Sequence, residues 1–130
     1  MGDLSENFSL RDFRDKETSP ETPVPKEYRA NLEELAKNLQ VLRDHLDLPV
    51  IVNCGYRTPE SNAKQGRAAK SQHLVAKAAD VHVTELSAAK LYETIEQLIK
   101  DGKMKNGGLK FYPKFIHYDV RNLPWRSPGP

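Results

Sequence analysis

The sequence predicts an α+β domain, a small, mostly antiparallel sheet packed against helices. Two amphipathic segments and a set of short strand-like runs carry this. Residues 27–46 place Leu32, Leu35, Leu39, Leu42 and Leu46 at spacings of three and four, with Ala36 beside them and charge on the other face. Residues 86–100 repeat the pattern with Leu86, Ala89, Leu91, Ile95, Leu98 and Ile99. Around them lie β-branched or alternating runs, too short for helices and bounded by Gly, Pro and Asn. Such a mixture buries one sheet face under helices.

Taken in order, Ser9 is an N-cap for a short turn in which Phe8, Leu10 and Phe13 reach a core. Residues 17–26 hold Pro20, Pro23 and Pro25 and read as an extended surface connection. The first long helix stops at Asp47-Leu48-Pro49, with His45 at its solvent edge. Val50 to Cys54 is a first strand, followed by the turn Gly55-Tyr56-Arg57-Thr58-Pro59. Glu60 to Lys70 is expected to be a short helix and a loop. Ala78 to Val83 is a second strand. Ser87 caps the second long helix, and Asp101-Gly102 closes it. Asn106-Gly107-Gly108 turns into a third strand, Leu109 to Tyr112, and Tyr112-Pro113-Lys114 turns into a fourth, residues 115–121. Residues 122–130 are expected to be an irregular tail in which Trp125 covers the end of the sheet. Residues 1–130 form one domain.

Composition narrows the function classes. Basic and acidic residues number 20 and 18, a net charge of +2, and they are interspersed. No basic run suited to nucleic acid is present. With Cys54 as the one cysteine, no intrachain disulfide can form and a Cys-rich zinc site is excluded; Cys54 reads as a buried strand residue. No apolar run is long enough to span a bilayer. Met1 to Glu6 lacks the basic and apolar regions of a signal peptide, so synthesis in the cytosol, or prior removal of a leader, is expected. A monomer is expected.

The chemistry-bearing stretch is Ser71-Gln72-His73 through Asp80, read with His117 in Phe115-Ile116-His117-Tyr118-Asp119-Val120-Arg121. The latter alternates like a strand, so Phe115, His117, Asp119 and Arg121 share a face. His73, Asp80 and His117 make a set of two imidazoles and one carboxylate. With a fourth position left open, that is the composition of a catalytic zinc site rather than a structural one. One zinc ion is the expected cofactor. Asp119 lies roughly 6.5–7 Å along the strand from His117. Two roles are open to it, a general base, or a partner that orients a ligand histidine or pairs with Arg57 or Arg121. His82 shares a strand face with Asp80 and reads as a neighbouring or surface histidine, with proton donor or fourth ligand as alternatives. Tyr56 and Tyr118 read as packing residues.

Gly55-Tyr56-Arg57, Ser71-Gln72-His73 with Asp80 seven residues on, and His117-Tyr118-Asp119-Val120-Arg121 together resemble the D-alanyl-D-alanine carboxypeptidase-like zinc peptidases. These act on bacterial cell-wall peptides, and their metal-site fold is shared with the Hedgehog signalling domain. The resemblance implies that His73, Asp80 and His117 hold zinc. It implies that Arg57 contacts substrate and helps polarise the scissile carbonyl, and that Ser71 lines the substrate cleft. A structural salt bridge for Arg57 and a loop cap for Ser71 are the alternatives. The implied activity is hydrolysis in peptidoglycan stem peptides or cross-links, of D-Ala-D-Ala carboxypeptidase or endopeptidase type or of L-Ala-D-Glu endopeptidase type. Its setting would be a phage-encoded protein or one delivered to the wall. Two departures stand out. Ala76 occupies a position where the family has glycine, and Lys114 occupies the place, three before the last histidine, where many members carry an acidic base. The alternative is a wall-peptide-binding module that keeps zinc but is catalytically weak.

Overall fold

The leucine repeat becomes α1 (Arg29–Leu46) in the computed structural model, which describes residues 2–64 and 71–127. Leu32, Leu35, Ala36, Leu39 and Leu42 are buried on its inner face. Each buried leucine contributes roughly 1.5–3 kcal/mol of transfer free energy. A 3₁₀ turn, Lys26–Tyr28, leads into the helix. Asp47, with φ 53°, ends it in the left-handed region, and its N–H returns to the Arg43 carbonyl. The second amphipathic segment is α3 (Ala88–Lys100), capped by the Ser87 side chain, which accepts from the Lys90 N–H. Leu91, Tyr92, Ile95 and Leu98 face inward from it.

The strands are β1 (Ile51–Cys54), β2 (Ala78–His82), β3 (Gly108–Phe111), β4 (Ile116–Asp119) and β5 (Trp125–Arg126). They form one sheet in the order β1-β2-β4-β3-β5, with every pair antiparallel except β3 and β5. The expected fold class is therefore found, with one parallel pair added. Register then divides the side chains between two faces. Val52, Ala79, Val81, Leu109, Ile116 and Tyr118 join the helices in the core. Asp80 and Lys110 are each the cross-strand partner of His117, and Ala78 and Gly108 of Asp119, on the opposite face. Cys54, at the end of β1, is half-buried, and burial pushes its thiol up to about 11.

The N-terminal segment braces the turn after β1. Asp12 accepts from the Ser9 N–H at 2.8 Å within a 3₁₀ turn, Leu10–Phe13, and Phe8 and Phe13 are buried. Gly55 lies against the backbone of Phe13, so close that a Cβ would come within 2.8 Å of its Cα. The buried Asp15 carboxylate accepts from the Thr58 N–H at 2.9 Å and the Ser61 hydroxyl at 3.4 Å. This ties down the loop carrying Arg57 and the start of α2 (Pro59–Lys64).

The short helix expected in Glu60 to Lys70 is α2, and the expected loop at 65–70 lies outside the described residues. The surface connection at 17–26 is tied back by a bridge between Asp15 and Thr22. One expectation changes. The tail is not irregular at Trp125–Arg126, and Trp125 does not cover the sheet's end: it is 40% exposed, beneath the Arg121 guanidinium at 4.9 Å. The physical reason is the outer edge of β3, whose carbonyls recruit the chain. Trp125 donates to Gly107 O at 3.1 Å and Ser127 to Leu109 O at 3.3 Å, while Arg126 forks onto Glu96.

Candidate metal centre

His73 sits in a 3₁₀ turn, Gln72–Val75, capped by Ser71, whose Oγ accepts from the His73 N–H at 3.2 Å. The turn ends at Ala76, buried and held at φ 59°. Glycine adopts that backbone freely and alanine does so at a cost of about 1 kcal/mol. Ala76 therefore holds a left-handed exit that glycine would adopt more cheaply. Asn31 Nδ2 donates to the Val75 carbonyl at 2.9 Å and fastens the turn to α1.

The two histidine rings are each held from behind. His73 Nδ1 lies 2.7 Å from the Gly55 carbonyl oxygen, an obligate acceptor, so Nδ1 carries the hydrogen and Nε2 offers a lone pair. His117 Nε2 lies 2.7 Å from Asp119 Oδ2, so by the same reasoning its Nδ1 offers a lone pair. Both lone pairs face Asp80. Its Oδ1 is 3.3 Å from His73 Nε2 and 3.3 Å from His117 Nδ1, and one donor atom from each of the three residues lies within 4.8 Å of the other two. The rings are 5.2 Å apart between centroids.

That Oδ1 atom is buried and has no hydrogen-bond partner. Two nitrogen lone pairs and a carboxylate oxygen directed at one another in a buried place repel unless a cation sits among them. Two imidazoles and one carboxylate match zinc or a similar late transition ion, whereas magnesium and calcium take oxygen-only cages. The donor set therefore fits the expected metal.

Electrostatics agree. Burial pushes the His73 ring toward its neutral, ligating form despite Asp80. Burial also acts to raise Asp80, but a proton held on His117 or His73 toward it outweighs burial and keeps the carboxyl well below the usual carboxylate range. His117 is lowered by burial and raised more by Asp119 and Asp80, so protons compete with a metal for it.

Asp119 is held on His117, Arg121 and the Gly108 N–H. Its fully buried carboxylate accepts five donors. Oδ1 takes the Gly108 N–H at 2.9 Å, the Arg121 N–H at 3.2 Å and Arg121 Nε at 2.8 Å. Oδ2 takes His117 Nε2 and Arg121 Nη2, both at 2.7 Å. A carboxylate offers about four lone-pair sites, so this one is fully engaged in holding His117. Burial acts to raise it, and Arg121 and His117 more than reverse that, leaving it ionised well below the usual range.

Arg57 is at the centre but faces inward: it is 2% exposed and Nη2 lies 3.3 Å from Asp80 Oδ2. Ser71 is half-buried at the rim, in its capping role. His82 is one rung further along β2, its Nδ1 hydrogen-bonded to Asn53 Oδ1, and it joins no metal-binding group among the described residues. Tyr118 packs in the core with its hydroxyl on the Lys105 carbonyl at 2.8 Å. Lys114 is exposed.

Two contributors escaped sequence reasoning: the Gly55 carbonyl and Gly108. The signal available was the glycine itself, since in the fold Gly108 stands opposite Asp119, where a Cβ would overlap the carboxylate. Gly108→Ala is accordingly expected to displace Asp119, loosen His117 and lower metal affinity roughly 10–100-fold, the range for lost outer-shell support. Competition titration against a chromophoric chelator checks this, and unchanged affinity would refute it.

A family model described as Peptidase M15 matches residues 6–119. No curated protein matches the chain.

Proposed function

The chain belongs to the M15 peptidase family, a family of zinc-dependent peptidases, and from that premise we propose that it hydrolyses peptide bonds in bacterial peptidoglycan, in stem peptides or cross-links. The observation that carries the reading is the meeting of His73 Nε2, His117 Nδ1 and the unpartnered Asp80 Oδ1. These are the atoms that would hold the ion. Zinc bound there supplies Lewis acidity, which polarises an amide carbonyl and makes water nucleophilic near neutral pH.

The chain's own residues set the conditions for that chemistry. The Gly55 carbonyl and Asp119 fix both ring tautomers, so in each neutral ring the lone pair is on the ligating atom. Arg57 holds Asp80 stationary from behind through its buried guanidinium. Arg121 keeps Asp119 ionised with two parallel hydrogen bonds. The motif likeness to D-alanyl-D-alanine carboxypeptidases supports a wall peptide as substrate. No described helix is long and apolar enough to cross a membrane.

A second reading is favoured by one observation. With Asp119 occupied and Lys114 exposed where relatives carry an acid, no carboxylate besides Asp80 and Asp119 is described at the centre. That suits a module that keeps zinc and binds wall peptide but turns it over poorly.

Metal analysis of the purified full chain, with mass spectrometry of wall fragments after digestion, separates the readings. Bound zinc in stoichiometric amount and new peptide termini are expected. Absence of stoichiometric zinc overturns both. Zinc with peptide binding but without new termini leaves the module.

A further inference from the structure

Lys110 is unaccounted for by anything above. Register puts Asp80, His117 and Lys110 side by side on three adjacent strands, all on the face opposite the core. Lys110 is half-buried and makes no ion pair among the described residues; its ammonium instead lies over the Tyr112 ring, 4.9 Å from the centroid. Tyr112 in turn stacks on Phe115 with centroids 4.4 Å apart and planes at 17°. The next rung along the same face is thus an aromatic shelf carrying a cation without a carboxylate.

The ordinary reason for such a lysine is protection of a sheet edge. Here the β3 edge is already covered, since Ser127 donates to Leu109 O and accepts from the Phe111 N–H at 3.3 Å. Meanwhile the two residues expected to grip the substrate each already contact the chain itself. Arg57 is buried against Asp80, and the Ser71 hydroxyl caps the His73 turn. A peptide lying over the centre therefore meets Lys110 as an available cation, on a flexible four-carbon stem with three donors.

We propose that Lys110, backed by the Tyr112–Phe115 stack, is a specificity-determining residue that receives a carboxylate of the peptide bound across the metal centre. The assignment rests on the peptidase reading. The carboxylate is either the peptide's C-terminal one or that of an internal acidic residue, and the test separates them.

Three versions of one stem peptide serve as probes: unmodified, amidated at the C-terminus, and amidated at the internal acidic residue. The zinc-loaded full chain is assayed for KM and kcat, and binding is measured by calorimetry on the same chain after chelation. The modification that removes the recognised carboxylate is expected to raise KM and Kd roughly tenfold with kcat little changed, the pattern of lost uniform binding. Lys110→Ala and Lys110→Gln are expected to raise both for the unmodified peptide by the same factor and to abolish the discrimination. Lys110→Arg restores it, and zinc content stays at wild-type level in all three variants. If the parent protein binds or cleaves all three peptides alike, or if its preference survives in Lys110→Ala and Lys110→Gln, the Lys110 assignment is overturned and the peptidase reading stands. If none of the three is bound or cleaved, both fall.

Discussion

Asp80→Asn is expected to leave a folded chain that no longer retains zinc and whose peptidase activity falls by roughly a thousandfold or more, about 4 kcal/mol in barrier terms. Asp80 is the pivot of the cluster. Its Oδ1 faces both ring lone pairs and its Oδ2 faces Arg57. An amide of the same size removes the negative charge that a dication needs beside two neutral imidazoles, while its remaining oxygen can still accept from the guanidinium. Asp80→Ala goes further, because Arg57 is 2% exposed and would be left as a buried cation without a counter-charge. Breaking a buried pair in that way costs on the order of 3–5 kcal/mol, and the alanine variant is expected to unfold at markedly lower denaturant. Metal analysis after dialysis and a denaturant midpoint measure both effects. Wild-type zinc content in Asp80→Asn would remove the metal centre proposed here.

Asp119→Asn has the next largest effect, and it distinguishes the two roles open to this residue from sequence. Whichever way the amide is turned, its NH₂ group meets donors: His117 Nε2 and Arg121 Nη2 on one side, Gly108 N–H and Arg121 Nε on the other. With the NH₂ toward His117, the hydrogen bond reverses and the ring proton moves to Nδ1, the atom that faces Asp80. Zinc affinity is expected to drop roughly 10–100-fold, as for other outer-shell partners, with a loss of roughly 1–3 kcal/mol in stability from the mismatched buried donors. A general base would behave differently: kcat would fall while zinc affinity held. Chelator competition alongside steady-state kinetics decides, and unchanged zinc affinity in this variant would return Asp119 to the role of base.

Much of the scaffold was legible because its signals are local. The leucines of α1 and the Ser87 cap and apolar stripe of α3 are periodicities that one segment carries by itself. The same holds for His117 and Asp119, which must share a face wherever that strand lies. Asp119's role was legible only as alternatives: spacing puts His117, Asp119 and Arg121 on one face, and it cannot say that Arg121 and the Gly108 N–H will together occupy the carboxylate. The strand at Trp125–Arg126 was missed for a related reason. Two residues carry no periodicity, and only the open edge of β3 makes them a strand.

By itself, then, the sequence determined the helices, the short strands, and the two imidazoles and one carboxylate from which a metal centre could be made, since residue type and local spacing are properties of a segment. Tertiary structure decided that β2 pairs with β4 so that Asp80 faces His117, that the loop after β1 brings the Gly55 carbonyl to His73, and that Lys110 completes the same rung. Those are matters of register and close approach between distant segments. The free energy that selects them comes from burying the opposite face of the same strands, and no single stretch of chain contains it.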